Sequence, residues 1–277
     1  MKLKSKRIFV FISIGSAILF IALILIGRES LKTKEPIKVG LPATLTNTSS
    51  SYGRHVRNGA ILAAERLNTA GGINGRSIEL IVKDDKGSPE EALRVDKELM
   101  DEKVVAILGH YLSTLAVKTV PLMNEKNILM VGATASTAEL AGIDDNFIRI
   151  IPPGNKQALL LAKVAYEQLN LKKMAVVYDT SNPKYTESFY QYFKKGFERD
   201  GGHVSVRIPF DSRKQFSMPD IAKEIMNSDV EGLFIITNAF HGALICQHLR
   251  KNGSRIKIVA SGWSFPDPDF IMHGGAA

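Results

Sequence analysis

Two clusters of hydroxyl side chains are the residues of this sequence whose types and spacing favour binding of a small molecule. Ser113 and Thr114 follow an apolar segment at residues 104–108, and Thr134, Ser136 and Thr137 follow another at residues 128–131. Each cluster precedes a predicted helix start, where backbone N–H groups are free and the helix dipole is positive. The carboxyl ends of neighbouring parallel strands lie at one sheet edge. We therefore predict a binding site for a carboxylate or another small anion at this edge.

Sequence signatures of catalysis, metal binding and phosphate binding are missing. The chain has no G-x-G-x-x-G after a strand, no Walker A loop, no G-x-S-x-G and no H-E-x-x-H. Residues 71–76, GGINGR, lie between a helix and a strand, which is typical of a turn. The six histidines show no metal-ligand spacing, and no base can be assigned to a nucleophilic serine. We predict capture of a small polar molecule without enzyme activity, metal or cofactor.

Two further residues with reactive side chains, His110 and Cys246, have structural interpretations. His110 adjoins the predicted binding site, where either a structural role or a ligand contact is consistent with its position. Cys246 is the single cysteine, so an intrachain disulfide is excluded. It falls within an apolar helical pattern, which favours a small buried side chain.

Composition and charge describe an ordinary globular chain. With 277 residues the protein can hold two modest domains, and 45% apolar with 23% charged residues is typical of a folded protein. The formal net charge is +8, and four of these positive charges come from Lys2, Lys4, Lys6 and Arg7. The remaining excess is spread thinly among acids, which argues against a nucleic-acid partner.

Residues 8–27 form an uncharged apolar run of the length that spans a bilayer as a helix. The basic residues before it favour a cytoplasmic N-terminus, so the rest of the chain is expected outside the cytoplasm, periplasmic or at the cell surface. A cleaved signal peptide, leaving a secreted protein, is the alternative, but the run is long for one and ILIGRES offers no clear cleavage site. We favour a retained single-pass anchor and linker over residues 1–35.

Strand-like and helix-like segments alternate through the rest of the chain. Strands are predicted at residues 37–41, 78–83, 104–108, 128–131, 174–178, 204–208, 233–237 and 256–260. Most are unbroken apolar runs, as expected for buried parallel strands. The pattern predicts an α/β fold with doubly wound parallel sheets.

Helix boundaries and the domain division also have sequence signals. Ser88, Pro89 and Glu91 combine an N-cap, a proline at the first helical position and a capping-box acid. Pro121 lies inside the helix predicted after Ser113, so that helix is expected to kink or restart there. Prolines 152 and 153 favour a crossing between two lobes. We predict lobe 1 at residues 36–152 and lobe 2 at residues 153–277.

Seven stretches carry a resemblance to a known family. They are IKVG from Ile37, SSYGRHVRNGAILAAERLNTAGGINGR from Ser50, IVKDDKGSPEEA from Ile81, GHYLST from Gly109, LMVGATASTAEL from Leu129, FIRIIPPG from Phe147 and MAVVYD from Met174. In these stretches and their order the chain resembles the branched-chain amino-acid-binding (Leu/Ile/Val-binding) family, which has the type I periplasmic-binding fold shared with receptor sensory domains.

The resemblance implies two lobes joined by a hinge, closing on an amino-acid-like ligand. Ser113, beside Thr114 at the helix start, would bind the ligand carboxylate. Thr134 would offer a backbone contact, and Ser136 a hydroxyl near the ligand ammonium and carboxylate. These roles follow from the matching positions in the family motif.

Three aromatic residues would complete the site by the same resemblance. Tyr52 would form part of the pocket wall on lobe 1, and Tyr185 and Phe240 would close over the ligand from lobe 2. The alternatives are packing for Tyr52 and Phe240, and an exposed loop position for Tyr185.

The sequence departs from the family pattern at two places. The family commonly has an acidic residue that pairs with the ligand ammonium where this chain has Trp263. Trp263 could offer a cation–π face, and Asp179 or Asp267 could supply the charge. Family members also continue well beyond the position of Ala277 and return to lobe 1. We therefore expect an incomplete product of a longer gene.

The resemblance implies a ligand-binding protein that captures a small amino acid or related carboxylate for an ABC-type transporter, with a membrane permease as its partner. The alternative is the extracellular sensory domain of a transmembrane receptor of the histidine kinase or cyclase type, for which a retained anchor is typical.

Overall fold

The computed structural model describes residues 34–46, 50–264 and 268–274. Within these ranges no helix has the length and apolar character needed to cross a bilayer. The predicted anchor helix at residues 8–27 and the predicted charge partner Asp267 lie outside the described residues.

The first sheet has five strands in the order β2-β1-β3-β4-β5. They are β1 (Ile37–Ala43), β2 (Ile78–Asp84), β3 (Ala106–Leu108), β4 (Leu129–Gly132) and β5 (Phe147–Arg149). The pairs β1–β3, β3–β4 and β4–β5 are parallel. Leu108 pairs with Val131, and Gly132 pairs with Arg149, so the loops after β3, β4 and β5 leave one edge of the sheet together.

Three helices and a short turn connect these strands. They are α1 (Ser50–Thr69), α2 (Pro89–Asp101), α3 (Ser113–Lys126) and a single 3₁₀ turn at Ala138–Leu140. The predicted start of α2 is confirmed, because the Ser88 side chain accepts a hydrogen bond from Glu91 N.

The expected restart of α3 at Pro121 is wrong. The helix continues to Lys126 because Pro121 is exposed, where its ring faces solvent and the carbonyl that loses a partner can bind water. The helix start expected after Thr137 is only the 3₁₀ turn, capped by the Thr137 hydroxyl, which accepts from Glu139 N.

The second sheet has four parallel strands in the order β7-β6-β8-β9. They are β6 (Lys173–Asp179), β7 (His203–Phe210), β8 (Gly232–Ile236) and β9 (Lys257–Ala260). The helices are α4 (Gly154–Lys163), continued by a π turn over Val164–Gln168, α5 (Pro183–Arg199), α6 (Met218–Met226), α7 (Ala239–Lys251) and α8 (Pro268–Gly274). The chain enters this part through Pro152 and Pro153.

Buried apolar strands form the centre of each sheet, as the unbroken apolar runs predict. In the first sheet Ile107 and Met130 are fully buried against Leu99 of α2. In the second, Phe193 of α5 and Phe234 of β8 pack with ring centroids 4.2 Å apart. The buried residues of these central strands hold the loops at the carboxyl ends of the strands in place.

The eight predicted strands are all present, and the strand β5 was missed. Phe147–Arg149 has only three residues and lies at a sheet edge. Because it comes just before Pro152 and Pro153, its sequence pattern predicts part of the crossing between the two lobes. Partial burial of Cys246 against the second core raises the pKa of its thiol to about 11.

Dense local contacts divide the described chain into a small unit, residues 34–37 and 64–79, and a larger unit containing the remaining residues. In the small unit Asn68 bonds both backbone groups of Ile78, with Oδ1 accepting from its N–H at 2.7 Å. Gly72 has φ of 72°, and an added Cβ would lie 2.0 Å from Arg76 O. The prediction that GGINGR forms a turn is therefore confirmed.

Candidate functional site

A cavity of about 260 Å³ lies in the larger unit, at the carboxyl ends of strands from both sheets. Its described lining comes from the loops after β3, β4, β5, β6 and β9 and from the starts of α1, α3, α4 and α5. The residues are Tyr52, Tyr111, Ser113, Ala133, Thr134, Ser136, Ile151, Pro152, Gln157, Asn182, Tyr185, Gly262 and Trp263. The lining combines hydroxyl, amide and aromatic groups and includes no charged side chain among these described residues.

The two predicted hydroxyl clusters lie side by side on one wall of this cavity. Ser113 does not cap its own helix. Its Oγ accepts a hydrogen bond from Thr137 N at 3.3 Å, which joins the loop after β3 to the loop after β4. Thr134 Oγ1 donates to Tyr111 O at 3.0 Å and makes a second link between these loops. The Ser113 hydroxyl at the positive end of the 14-residue helix α3 is suited to an anionic group.

Arg149 supports this wall from behind. Its Nη1 donates to Ala135 O at 3.2 Å and to Thr137 O at 2.7 Å, so the guanidinium holds the carbonyls of the hydroxyl-bearing loop. Nη2 is buried without a hydrogen-bond partner. Within the described residues no carboxylate pairs with Arg149, and desolvation lowers its pKa. The wall therefore has positive potential from both the helix dipole and this side chain.

Aromatic rings form a second part of the cavity lining. Tyr52 and Tyr111 stack with ring centroids 4.8 Å apart and an interplanar angle of 17°. Tyr185 and Trp263 meet edge to face, with centroids 5.8 Å apart. Trp263 Nε1 donates to the Tyr111 hydroxyl, and burial raises the pKa of Tyr185 well above its usual value. The Tyr185 hydroxyl therefore stays protonated at neutral pH, and the four rings are fixed by contacts with one another.

Polar contacts beside the cavity connect the start of α5 with the start of α3 and with the 3₁₀ turn. Asn182 Oδ1 accepts from Thr114 N at 3.1 Å and from Thr114 Oγ1 at 2.9 Å. Lys184 Nζ pairs with Glu139 at 2.7 Å, on exposed side chains. The first contact is part-buried and links residues that follow strands of different sheets.

His110 has a structural role and does not line the cavity. It is fully buried, with Nδ1 2.9 Å from Asp85 Oδ2 and Nε2 3.1 Å from Asp96 Oδ2. Burial alone lowers the pKa of His110, but attraction to Asp96 and hydrogen bonds to both carboxylates outweigh it and raise the pKa to about 10. A doubly protonated imidazolium therefore fixes the loop that carries Tyr111.

The structure brings together six of the eight residues predicted for the site. Tyr52, Ser113, Thr134, Ser136, Tyr185 and Trp263 all line the cavity. Thr114 lies beside it and bonds Asn182. Phe240 is 39% exposed, and its ring packs on His241 and His273, so it does not reach this cavity. Their roles in binding a ligand stay predictions.

Asp179 does not supply a charge to the cavity, contrary to one expectation from the sequence. It is fully buried, and its Oδ1 accepts from Ser181 N at 2.9 Å and from Ser212 N at 3.1 Å. These bonds hold the loops after β6 and β7 together. Asp179 is absent from the described lining, so its role is structural.

Sequence reasoning missed Tyr111, Gln157 and Asn182. Tyr111 stands between two predicted features, His110 and Ser113, and its position directly after a buried strand was an available signal. Asn182 precedes Pro183, a pattern typical of a helix start. Gln157 gave no signal, because it lies inside α4 among ordinary helical residues.

The two parallel α/β sheets, with loops from both lining one uncharged polar and aromatic cavity, define a small-molecule binding protein. The described residues contain no group of three His, Cys, Asp or Glu side chains placed to hold a metal ion. The site therefore offers binding groups, and its described lining contains no titratable pair suited to acid–base chemistry.

The sequence model of the periplasmic binding protein family matches residues 36–277, and the chain belongs to that family. Proteins of this family are binding proteins, and membership implies an extracytoplasmic folded region. The resemblance found in the sequence motifs is confirmed.

Similar proteins support the same assignment. A leucine-, isoleucine-, valine-, threonine- and alanine-binding protein of Pseudomonas aeruginosa is 29% identical over 190 residues, which is 68% of this chain and 50% of that protein. The crystal structure of a leucine-binding protein from Thermotoga maritima has a TM-score of 0.78 at 26% identity, covering 87% of this chain and 67% of that one. A solute-binding protein of an ABC transporter from R. palustris, in complex with 4-hydroxybenzoate, has a TM-score of 0.76 at 23% identity. The match covers 87% of this chain and 65% of that one.

The chain spans about half to two-thirds of the length of these relatives. This chain shares its fold and its family with these relatives, and the ligands in their names are those of the relatives.

Proposed function

We propose that this protein is an extracytoplasmic solute-binding protein that captures a small amino acid or related carboxylate for an ABC-type transporter. The observation that carries the proposal is the cavity wall made by Ser113 and Ser136 at the positive end of α3, with aromatic rings in the same lining. The named ligands of the similar proteins, amino acids and 4-hydroxybenzoate, all contain a carboxylate.

The two sheets with their helices act as two lobes, residues 36–152 and 153–277. The ligand carboxylate binds Ser113, Ser136 and the backbone beside them, while Tyr185 and Trp263 contact the ligand body from the second lobe. A ligand that contacts both lobes stabilises the closed state, because a ligand shifts an equilibrium only through differential contacts.

The partners follow from the same proposal. A membrane permease recognises the closed form, and residues 8–27 anchor the protein with its folded region outside the cytoplasm. The apolar run at residues 8–27 also favours a second candidate, the sensory domain of a transmembrane receptor, which would use the same cavity.

Ligand binding can be measured on the full chain through its single tryptophan, Trp263, which lines the cavity. We expect one or a few members of a panel of amino acids and short carboxylates to change Trp263 fluorescence and to raise the melting temperature, since a ligand that binds only the folded state stabilises it. Ser113→Ala should reduce affinity by about tenfold, through loss of a hydrogen bond to a charged group.

Ser88→Ala is the matched control for that experiment. Ser88 caps α2 and does not line the cavity, so this change should lower stability by about 1 kcal/mol with unchanged ligand affinity. A panel in which no compound shifts either signal contradicts the proposed function. Equal affinities of the Ser113→Ala variant and the original protein would remove Ser113 from the site.

A further inference from the structure

We infer that the ligand is a small aromatic monocarboxylate without an ammonium group, rather than an α-amino acid. This inference rests on the proposed function and names the class of ligand for the same cavity. It is carried by three properties of the described site: an uncharged lining, the Arg149 side chain on the hydroxyl-bearing loop without an ion-pair partner among the described residues, and fixed aromatic rings in the same lining.

The first step concerns the ligand ammonium. A desolvated ammonium requires a carboxylate partner or the face of an aromatic ring. The described lining contains no carboxylate. Asp179 accepts hydrogen bonds from two backbone N–H groups and is fully buried away from the cavity. Trp263 stands at the place of the expected acid, and its indole nitrogen donates to Tyr111. Aromatic faces are therefore the partners that the described lining leaves for an ammonium, and the positive potential of the hydroxyl-bearing wall opposes a cation there.

The second step concerns net charge. Arg149 holds the carbonyls of Ala135 and Thr137 directly behind Ser136, without an ion-pair partner among the described residues. The helix dipole of α3 adds positive potential on the same wall. Both terms favour a ligand with net negative charge over a neutral zwitterion, and both oppose an additional positive group in the same small cavity.

The third step concerns the shape of the ligand body. Tyr52 and Tyr111 form a flat aromatic surface, and the perpendicular pair Tyr185 and Trp263 forms a corner. Offset-stacked and edge-to-face contacts favour a planar ring over a saturated one. A volume of about 260 Å³ is at the small end for ligand sites, which limits the ligand to about one ring. Gln157 provides a neutral polar group in the same lining for a ring substituent.

The test uses pairs of compounds that differ in one group, titrated calorimetrically into the full chain. Phenylacetate and L-phenylglycine differ only in the ammonium, as do 4-methylpentanoate and leucine. Benzoate and cyclohexanecarboxylate differ in aromaticity. We expect each deaminated acid to bind about tenfold or more tightly than its amino acid, and benzoate to bind more tightly than cyclohexanecarboxylate.

The outcomes distinguish this inference from the function on which it rests. Tighter binding of leucine or L-phenylglycine than of their deaminated partners would overturn the inference and leave a carboxylate-binding function in place. Preference for trimethylglycine over benzoate would also overturn it, because the rings would then act as a cage for a quaternary ammonium. If no carboxylate in the panel bound, the proposed function itself would fail.

Discussion

At the residue scale, the buried ion pairs of His110 with Asp85 and Asp96 fix the loop after β3. The imidazole bridges Asp85 and Asp96 with no exposure to solvent, and Asp85 also accepts from Thr44 Oγ1 at 2.6 Å. Removing one member of a buried charged cluster leaves the others without compensation, which is strongly destabilising. The position of Tyr111, the next residue, therefore depends on a charge network that does not touch the ligand.

The raised pKa of His110 predicts that stability falls as pH rises above neutrality. The folded-state pKa of about 10 exceeds the usual value of 6.5. The stabilisation that protonated His110 contributes is therefore fully present below pH 6.5, and it is lost as the pH rises to the folded-state pKa. Between these limits, one extra proton in the folded state gives a slope of about 1.4 kcal/mol per pH unit. Urea unfolding at pH 6.5, 7.5 and 8.5 measures it.

Two variants separate His110 from other titrating groups in that measurement. His55→Gln, an exposed histidine on α1, should retain the slope. His110→Gln should reduce the slope of stability against pH by the contribution of about one proton, which is about 1.4 kcal/mol per pH unit. If that variant fails to fold, the combined change Asp85→Asn, Asp96→Asn and His110→Gln removes all three charges and should flatten the slope as well. An unchanged slope in both His110 variants would contradict the assignment.

At the element scale, the start of α1 shows how close backbone approach positions a cavity wall. An added Cβ on Gly53 would lie 1.9 Å from Thr44 O, so only glycine permits α1 to pack against the end of β1. Tyr52 is the preceding residue and stacks on Tyr111. The placement of this ring is therefore set by the helix start.

Gly53→Ala should lower the free energy of unfolding and weaken ligand binding, because the helix start must move away from β1. The expected loss of stability is about 2 kcal/mol or more, typical of steric strain. Gly59→Ala is the matched control on the same helix, since nothing lies within 4 Å of its added Cβ. It should stabilise the protein by about 0.5–1 kcal/mol. Equal effects of the two changes in thermal unfolding would contradict the packing argument.

At the scale of the whole molecule, the contact between Thr114 and Asn182 couples the two sheets. The bonds from Thr114 N and Oγ1 to Asn182 Oδ1 join the first turn of α3 to the residue before α5. We propose that these bonds form on closure, so that ligand affinity depends on a residue outside the cavity lining.

Thr114→Val removes the two hydrogen bonds of this hydroxyl, donated to Asn182 Oδ1 and accepted from Lys184 N. It should weaken ligand binding by about fivefold or more, corresponding to about 1 kcal/mol or more. The side chain keeps its shape and does not line the cavity, so the effect must come from the balance between open and closed states. Small-angle scattering with saturating ligand should show a larger open fraction. Thr119→Val is the control on the same helix, because its hydroxyl bonds Leu115 O within α3 and contacts Met130 Sδ of β4, with no hydrogen bond to α5. Unchanged affinity in Thr114→Val would exclude this contact from closure.

The amino-acid sequence determined the features that depend on neighbouring residues. Apolar runs located eight strands, because a buried parallel strand excludes polar residues along its length. Ser88 and Pro89 located the start of α2 through their local geometry. The two hydroxyl clusters were placed together because strand ends at one sheet edge must lie close.

Only the tertiary structure decided contacts between residues far apart in the chain. Trp263 and Tyr111 are 152 positions apart, and Asn182 and Thr114 are 68 apart, so no local periodicity relates them. Phe240 was predicted in the site and lies outside the cavity, since its side of α7 packs on His273. The same holds for Asp179, whose carboxylate accepts hydrogen bonds from loop N–H groups. Which side chain faces the cavity is set by packing of whole elements, and a sequence pattern specifies only the elements.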